Sequence, residues 1–115
     1  MKYRHYAPEA ETILFEGETE RKRDGPINAA MDAVCMKKCV GALVSRELAE
    51  RLPADVITVS YGDKAELASR LYDTLRGFDE KGADVIYLEG VDESDIGLAV
   101  MNRLRKASGN RIVTA

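Results

Sequence analysis

A chain of 115 residues can form one domain that buries roughly two-thirds of the surface its unfolded form exposes. The 45% hydrophobic and 32% charged residues are ordinary for a globular protein, and the net charge of −3 argues against a nucleic-acid binder or an acidic tail. No apolar run is long enough to cross a bilayer, so we expect a cytoplasmic protein with neither a membrane nor a nucleic acid as direct partner.

Residues 1–8 form a cationic and aromatic arm without apolar periodicity. They contain the single histidine, His5, together with two tyrosines, a lysine and an arginine. Lysine and arginine bind phosphate and carboxylate groups, arginine through two parallel hydrogen bonds. Composition alone favours a frayed terminus, although the same residues suit an arm that binds an anion.

Five short runs rich in valine and isoleucine predict β-strands, at residues 12–15, 40–45, 56–59, 84–88 and 111–114. Helical segments separate them, and continuous apolar strands alternating with helices favour a parallel sheet covered on both faces. With right-handed crossovers, this pattern predicts a three-layer α/β/α sandwich with a mainly parallel five-stranded sheet, Rossmann-like in type. The strand order stays open at this point.

Two helices carry clear capping and stop signals. Asp63, with Glu66 three residues later, predicts an N-cap, and Gly82 predicts the end of that helix. Gly109 predicts the end of the last helix. The apolar faces of the two helices are predicted at Leu67, Leu71, Leu75 and Phe78, and at Ile96, Val100, Leu104 and Ala107.

The earlier helices are marked by prolines. Pro26 suits the first position of a helix, and the inward face of that helix is predicted at Ile27, Ala30, Met31 and Val34. A short helical turn over residues 46–52 is predicted to end at Pro53.

In open parallel sheets, ligands bind beyond the carboxyl ends of the strands. Glycine-rich turns follow several predicted strands here, but no nucleotide-binding glycine motif is present. The same turns carry carboxylates that would repel an anion, at Glu18, Glu47, Asp63, Glu89 and Asp92. We therefore expect these residues to form turns and cap helices, and we keep a nucleotide- or small-ligand-binding regulatory module as the alternative function.

Cys35 and Cys39 lie four residues apart in a predicted helix and its end. That spacing strains a disulfide, and two thiols with one distant histidine are a poor zinc set. We expect two reduced, mostly buried residues. Because no Ser/His/Asp or Cys/His set can be proposed, the domain itself does not resemble an enzyme, and His5 cannot be assigned a role from its chemistry alone.

Residues 1–8, Met-Lys-Tyr-Arg-His-Tyr-Ala-Pro, resemble the linker of the two-domain threonylcarbamoyl-adenylate synthases. In that family the linker runs Ser-Pro-Gly-Met-(Lys/Arg)-Tyr-Arg-His-Tyr-Ala-Pro between a YrdC-type catalytic domain and a C-terminal accessory domain. Residues 71–79 and 97–104 are similar to helices of the accessory domain. The resemblance implies a linker and lid over residues 1–10 and the accessory α/β domain over residues 11–115.

The resemblance implies a parent enzyme that converts ATP, L-threonine and bicarbonate to threonylcarbamoyl-AMP and pyrophosphate, for threonylcarbamoyladenosine modification of tRNA. ATP and magnesium would bind in the catalytic domain, which this sequence lacks. We therefore expect a chain that begins inside the linker motif, is inactive alone, holds no cofactor, metal or catalytic residue, and has the catalytic domain as its partner.

The same resemblance implies a binding role for the linker. In the family the linker lies across the mouth of the catalytic pocket, where its side chains approach the ligand's phosphate or carboxylate. The corresponding lid residues here are Lys2, Tyr3, Arg4, His5 and Tyr6. The roles of Asn102 and Arg103, and an assembly of several copies, stay open.

Overall fold

The computed structural model describes residues 10–16, 19–94, 96–109 and 111–114, with side chains except those of residues 19–24 and 114. Strands and helices alternate along this part of the chain. The elements are β1 (Glu11–Glu16), α1 (Thr19–Cys35), β2 (Val40–Ser45), α2 (Arg46–Ala49), β3 (Ile57–Tyr61), α3 (Lys64–Glu80), β4 (Val85–Glu89), α4 (Gly97–Ala107) and β5 (Ile112–Thr114). All pairings are parallel, in the order β3-β2-β4-β1-β5, which confirms the predicted α/β fold.

The strand order places helices on both faces of the sheet. From β1 to β3 the chain moves toward one edge, and from β3 to β5 it moves back toward the other. Right-handed crossovers then put α1 and α2 on one face and α3 and α4 on the other. The core agrees with this arrangement, since Val85 and Tyr87 of β4 pack with α1 and α2, whereas Ile86 and Leu88 pack with α3 and α4.

The predictions for α3 are confirmed. Asp63 is the N-cap, and its carboxylate accepts the N–H of Glu66 at 2.8 Å. All four residues of its predicted apolar face are fully buried or nearly so. Gly82 and Gly109 have φ values of 79° and 62°, the left-handed conformation that ends a helix and that glycine adopts without a steric cost.

Two residues that were predicted to face the core are exposed instead. Met31 is 52% exposed, because α1 packs on the sheet through the small side chains of Ala30 and Ala33, and position 31 lies about 100° around the helix from Ala30. Ile96 is 47% exposed, because it is the N-cap residue of α4 and precedes the first turn of the apolar stripe. The other predicted members of that stripe are buried, and Met101 joins them.

Three further expectations near α1 and α2 need correction. Pro26 lies inside α1, which begins at Thr19, although its ring nitrogen cannot donate to the carbonyl one turn earlier. Helix α2 covers only residues 46–49. Cys35 is exposed because it is the last residue of α1, and Cys39, directly before β2, is half-buried; both thiols are free, as expected.

Candidate functional site

The predicted lid residues Lys2, Tyr3, Arg4, His5 and Tyr6 lie outside the residues that the structure describes. The described residues begin at Ala10, shortly after the arm. Ala10 is buried in the core, and its N–H donates to the carboxylate of Asp79 at 3.4 Å. The hydroxyl of Thr12 donates to the carbonyl of Ala10 at 3.1 Å, and Glu11 donates its N–H to the carbonyl of Asp84. The base of the arm is therefore firmly anchored.

This anchor lies at the amino edge of the sheet. Ala10 directly precedes β1, and all five strands are parallel, so the strand ends where ligands commonly bind lie at the opposite edge. The described part of the chain therefore begins at the amino edge, away from the carboxyl ends of the strands.

The carboxyl edge is organised around a buried carboxylate. Glu89, the last residue of β4, is 3% exposed, and its carboxylate accepts the N–H of Ser45 at 2.7 Å. The hydroxyl of Tyr61 donates to the carbonyl of Glu89 at 3.3 Å. Burial, and secondarily the charge of Glu89, raises the pKa of Tyr61, so the phenol remains a donor. The crevice between β2 and β4 is thus occupied by the chain's own acid.

The turn after β3 satisfies its own backbone groups. While Asp63 caps α3, the carboxylate of Glu66 accepts the N–H of Gly62 in return. This is a variant of the capping box in which the returning acid reaches the residue before the N-cap. Ser45 similarly caps α2 by accepting the N–H of Leu48 at 3.4 Å. The expectation that the strand-end acids form turns and cap helices is confirmed for Asp63, whereas Glu89 is a residue of β4 and accepts the N–H of Ser45.

A lysine that the sequence analysis missed connects α3 to the loop before α4. The ammonium group of Lys64 bonds the carboxylate of Asp92 and donates to the carbonyl and hydroxyl of Ser94 at 2.9 and 3.0 Å. The bond from Lys64, and then those from Ser94, hold the pKa of Asp92 well below its usual range. The sequence contained a signal for this bond. A lysine in the first turn of a helix is repelled by the positive end of the helix dipole, so an acidic partner is expected nearby.

Arg105 forms a second cross-link at this edge. Its guanidinium donates to the carboxylate of Glu16 at the end of β1 and to that of Glu93 at 3.1 Å. The bond to Glu16 is the first cause of the raised pKa of Arg105. Together with the Lys64 contacts, the bond from Arg105 to Glu93 holds the β4–α4 loop from two sides.

These contacts leave little at the carboxyl edge to attract a nucleotide. Asp63, Glu89 and Asp92 are engaged in caps and bonds, and Glu47 is an exposed acid in the first turn of α2; Glu18 lies outside the described residues. Within the described ranges, no group of histidine, cysteine and acidic side chains is placed to hold a metal. None of the described helices is long and apolar enough to cross a membrane.

Two open cavities flank the edge strand β3. One, of about 310 Å³, lies on the α3 side and is lined by Val59, Arg70, Asp73, Thr74, Gly77, Phe78 and Lys81. The other, of about 330 Å³, lies on the α2 side and is lined by Arg46, Ala49, Glu50, Thr58 and Ser60. Neither adjoins the buried carboxylate of Glu89.

Comparison with known proteins identifies relatives of the whole chain. Residues 1–109 match the family described as "Threonylcarbamoyl-AMP synthase, C-terminal domain". The threonylcarbamoyl-AMP synthase of Pyrococcus abyssi is 42% identical over 113 residues, which are 98% of this chain and 32% of that protein. The synthase of Bacillus subtilis is 40% identical over 116 residues, with the same two coverages. The chain therefore spans about a third of the length of these curated relatives.

Solved structures give the same result. Pyrococcus abyssi Sua5 complexed with L-threonine has a TM-score of 0.83 and 43% identity, over 98% of this chain and 32% of that one. A variant of that protein, with a histidine and the following tyrosine both replaced by alanine, has a TM-score of 0.81 and 40% identity, over 94% and 30%. The C-terminal Sua5 domain from Pyrococcus horikoshii has a TM-score of 0.74 and 36% identity, over 95% and 100%.

Proposed function

The chain belongs to the family of threonylcarbamoyl-AMP synthase C-terminal domains, and on that premise we propose that it is the accessory domain of such a synthase. The parent would use ATP, L-threonine and bicarbonate to form threonylcarbamoyl-AMP and pyrophosphate, for modification of tRNA. The match over residues 1–109, which includes the arm and nearly all of the domain, carries the proposal. ATP and magnesium would bind in the catalytic domain, and the chain alone would be inactive.

In this proposal residues 1–10 are the linker and residues 11–115 the accessory domain. Lys2, Arg4 and His5 would supply positive charge beside the phosphate and carboxylate groups of the ligand, since such charge-assisted hydrogen bonds are strong. Tyr3 and Tyr6 would add hydroxyl donors and apolar rings. Closing such a lid would also exclude water from a mixed anhydride that hydrolyses readily.

Two observations support the lid. The base of the arm is fixed by the buried Ala10 and its bond to Asp79, so a lid motion would act on the residues before it and leave the sheet unchanged. His5 and Tyr6 also repeat, in type and order, the histidine and tyrosine that were replaced in the solved variant of the Pyrococcus abyssi protein.

The test joins this chain to its catalytic domain and measures pyrophosphate release from ATP with threonine and bicarbonate. Tyr3→Ala combined with Arg4→Ala is expected to lower turnover, because the lid loses a ring and a cation. Lys38→Ala, at an exposed turn of the amino edge, is the matched control for a lost cation and should retain turnover. Equal rates in all three proteins would remove the lid role.

The same assay on the isolated chain tests the proposed accessory role. No turnover is expected, since the described part of the chain offers no metal-binding cluster and its strand-end crevice contains the carboxylate of Glu89. Robust turnover by the isolated chain would contradict the proposal.

A further inference from the structure

Strand β3 leaves one edge of the sheet open. Among the described residues, Ile57–Tyr61 pairs only with β2, so its outer side faces no other described strand. Natural edge strands are usually protected by charged residues, proline or very short length. The five residues of β3 include no charge and no proline, whereas β5 at the opposite edge is only three residues long. The β3 edge is therefore the one suited to pair with a further strand.

The two cavities beside β3 match the alternation of an added strand. Successive side chains of a strand point to opposite faces. Val59 lines the cavity on the α3 side, and Thr58 and Ser60 line the cavity on the α2 side. A strand placed beside β3 would direct its side chains alternately into these two spaces, so that both its backbone and its side chains find partners.

We propose that this edge is the interface of a symmetric dimer, in which β3 of a second copy pairs antiparallel with β3 about Val59. The two-fold axis then places Val59 opposite Val59 of the second copy. Thr58 lies opposite Ser60 of that copy, and Ile57 lies opposite its Tyr61. Apolar residues oppose apolar or aromatic ones, and hydroxyl-bearing residues oppose each other, which are favourable cross-strand pairs. The strand is thus complementary to itself, as a two-fold interface requires.

The charges beside β3 favour a second copy over an unrelated strand. Arg46 and Glu50 line the α2-side cavity, and both are exposed. Arg46 lies near Gly62 at the carboxyl end of β3. Glu50 lies one helical turn further along α2, and a crossover between parallel strands has to return toward the amino edge. Antiparallel pairing brings the carboxyl end of one β3 beside the amino end of the other. Arg46 of each copy therefore faces Glu50 of the other, and the dimer gains two ion pairs.

The test is sedimentation of the 115-residue chain over a wide concentration series. The unmodified chain is expected to shift from monomer to dimer, and Val59→Lys to remain monomeric, because two lysines would face each other at the symmetry axis. Val113→Lys, at an exposed position of the opposite edge, is the matched control and should still dimerise. An unmodified chain that stays monomeric throughout, whatever else binds its edge, would overturn the proposal.

Exchanging the charges of Arg46 and Glu50 tests the register of the β3–β3 pairing without changing a residue of β3. Arg46→Glu and Glu50→Arg, each alone, should raise the dissociation constant about tenfold, because two exposed attractive pairs become repulsive. The double variant should restore it, since the pairs re-form with opposite polarity. Circular dichroism checks that each variant is folded. A dimer that survives Val59→Lys, or a double variant as weak as the single ones, contradicts pairing through β3.

Discussion

The backbone N–H of Ser45 donates to the carboxylate of Glu89 at 2.7 Å, linking the carboxyl ends of β2 and β4. Glu89 is 3% exposed, so its charge is compensated by protein groups and hardly by water. The crevice where many α/β proteins bind a ligand is therefore stabilised here by an internal acid.

Removing that acid should destabilise the fold. Glu89→Ala leaves the half-buried N–H of Ser45 without its acceptor, so we expect the free energy of unfolding to fall by about 1–3 kcal/mol. Glu89→Gln keeps an acceptor oxygen and should cost less. Urea denaturation measures both, with Asp55→Asn in an exposed turn as the control. If Glu89→Ala is as stable as the control, the carboxylate has no structural role.

Two helical glycines should respond in opposite ways to alanine. A Cβ at Gly97 would overlap the carbonyl oxygen of Asp92, whereas one at Gly77 would meet no atom within 4 Å. Gly97→Ala should therefore lower the free energy of unfolding by about 1–3 kcal/mol through overpacking. Gly77→Ala should raise it by about 0.5–1 kcal/mol, because alanine favours the helix. Thermal unfolding compares the pair; shifts of the same sign would refute this account of Gly97.

The Lys64–Asp92 bond should make stability depend on pH. The bond lowers the pKa of folded Asp92, so its contribution is present above about pH 4, the pKa of an unfolded aspartate, and is lost as the pH falls toward the lower folded value. We expect Asp92→Asn to be less stable than the unmodified chain at neutral pH, with the gap narrowing in acid. Urea denaturation at several pH values measures this gap.

A double-mutant cycle isolates the pair. In a Lys64→Met background, Asp92→Asn should cost much less than it does alone, because the partner ammonium is already absent. Equal costs in the two backgrounds would show that the pair contributes nothing, as is common for exposed ion pairs.

Calorimetry separates the accessory domain from the alternative, a nucleotide-binding regulatory module. Because Glu89 occupies the crevice and the ammonium group of Lys64 is already bonded to Asp92, we expect no binding of ATP, ADP or AMP to the isolated chain. Submillimolar binding of any of the three would favour the regulatory module instead.

Much of the local structure could be predicted because its causes are short-range. The Asp63 cap and the leucine face of α3 depend on residues three or four positions apart, and both are confirmed. Met31 and Ile96 were placed wrongly, because a periodic pattern does not show how closely α1 approaches the sheet or where the first turn of α4 begins.

The sequence by itself determined the alternation of strands and helices and the family, because caps, apolar periodicity and motifs are local. Only the tertiary structure decided the strand order and the bonds that occupy the carboxyl edge. Those bonds join residues far apart in sequence: Lys64 and Asp92 are 28 positions apart, Ser45 and Glu89 44, and Glu16 and Arg105 89. Such pairs form only where the parallel strands and their crossovers bring distant segments to one edge of the sheet.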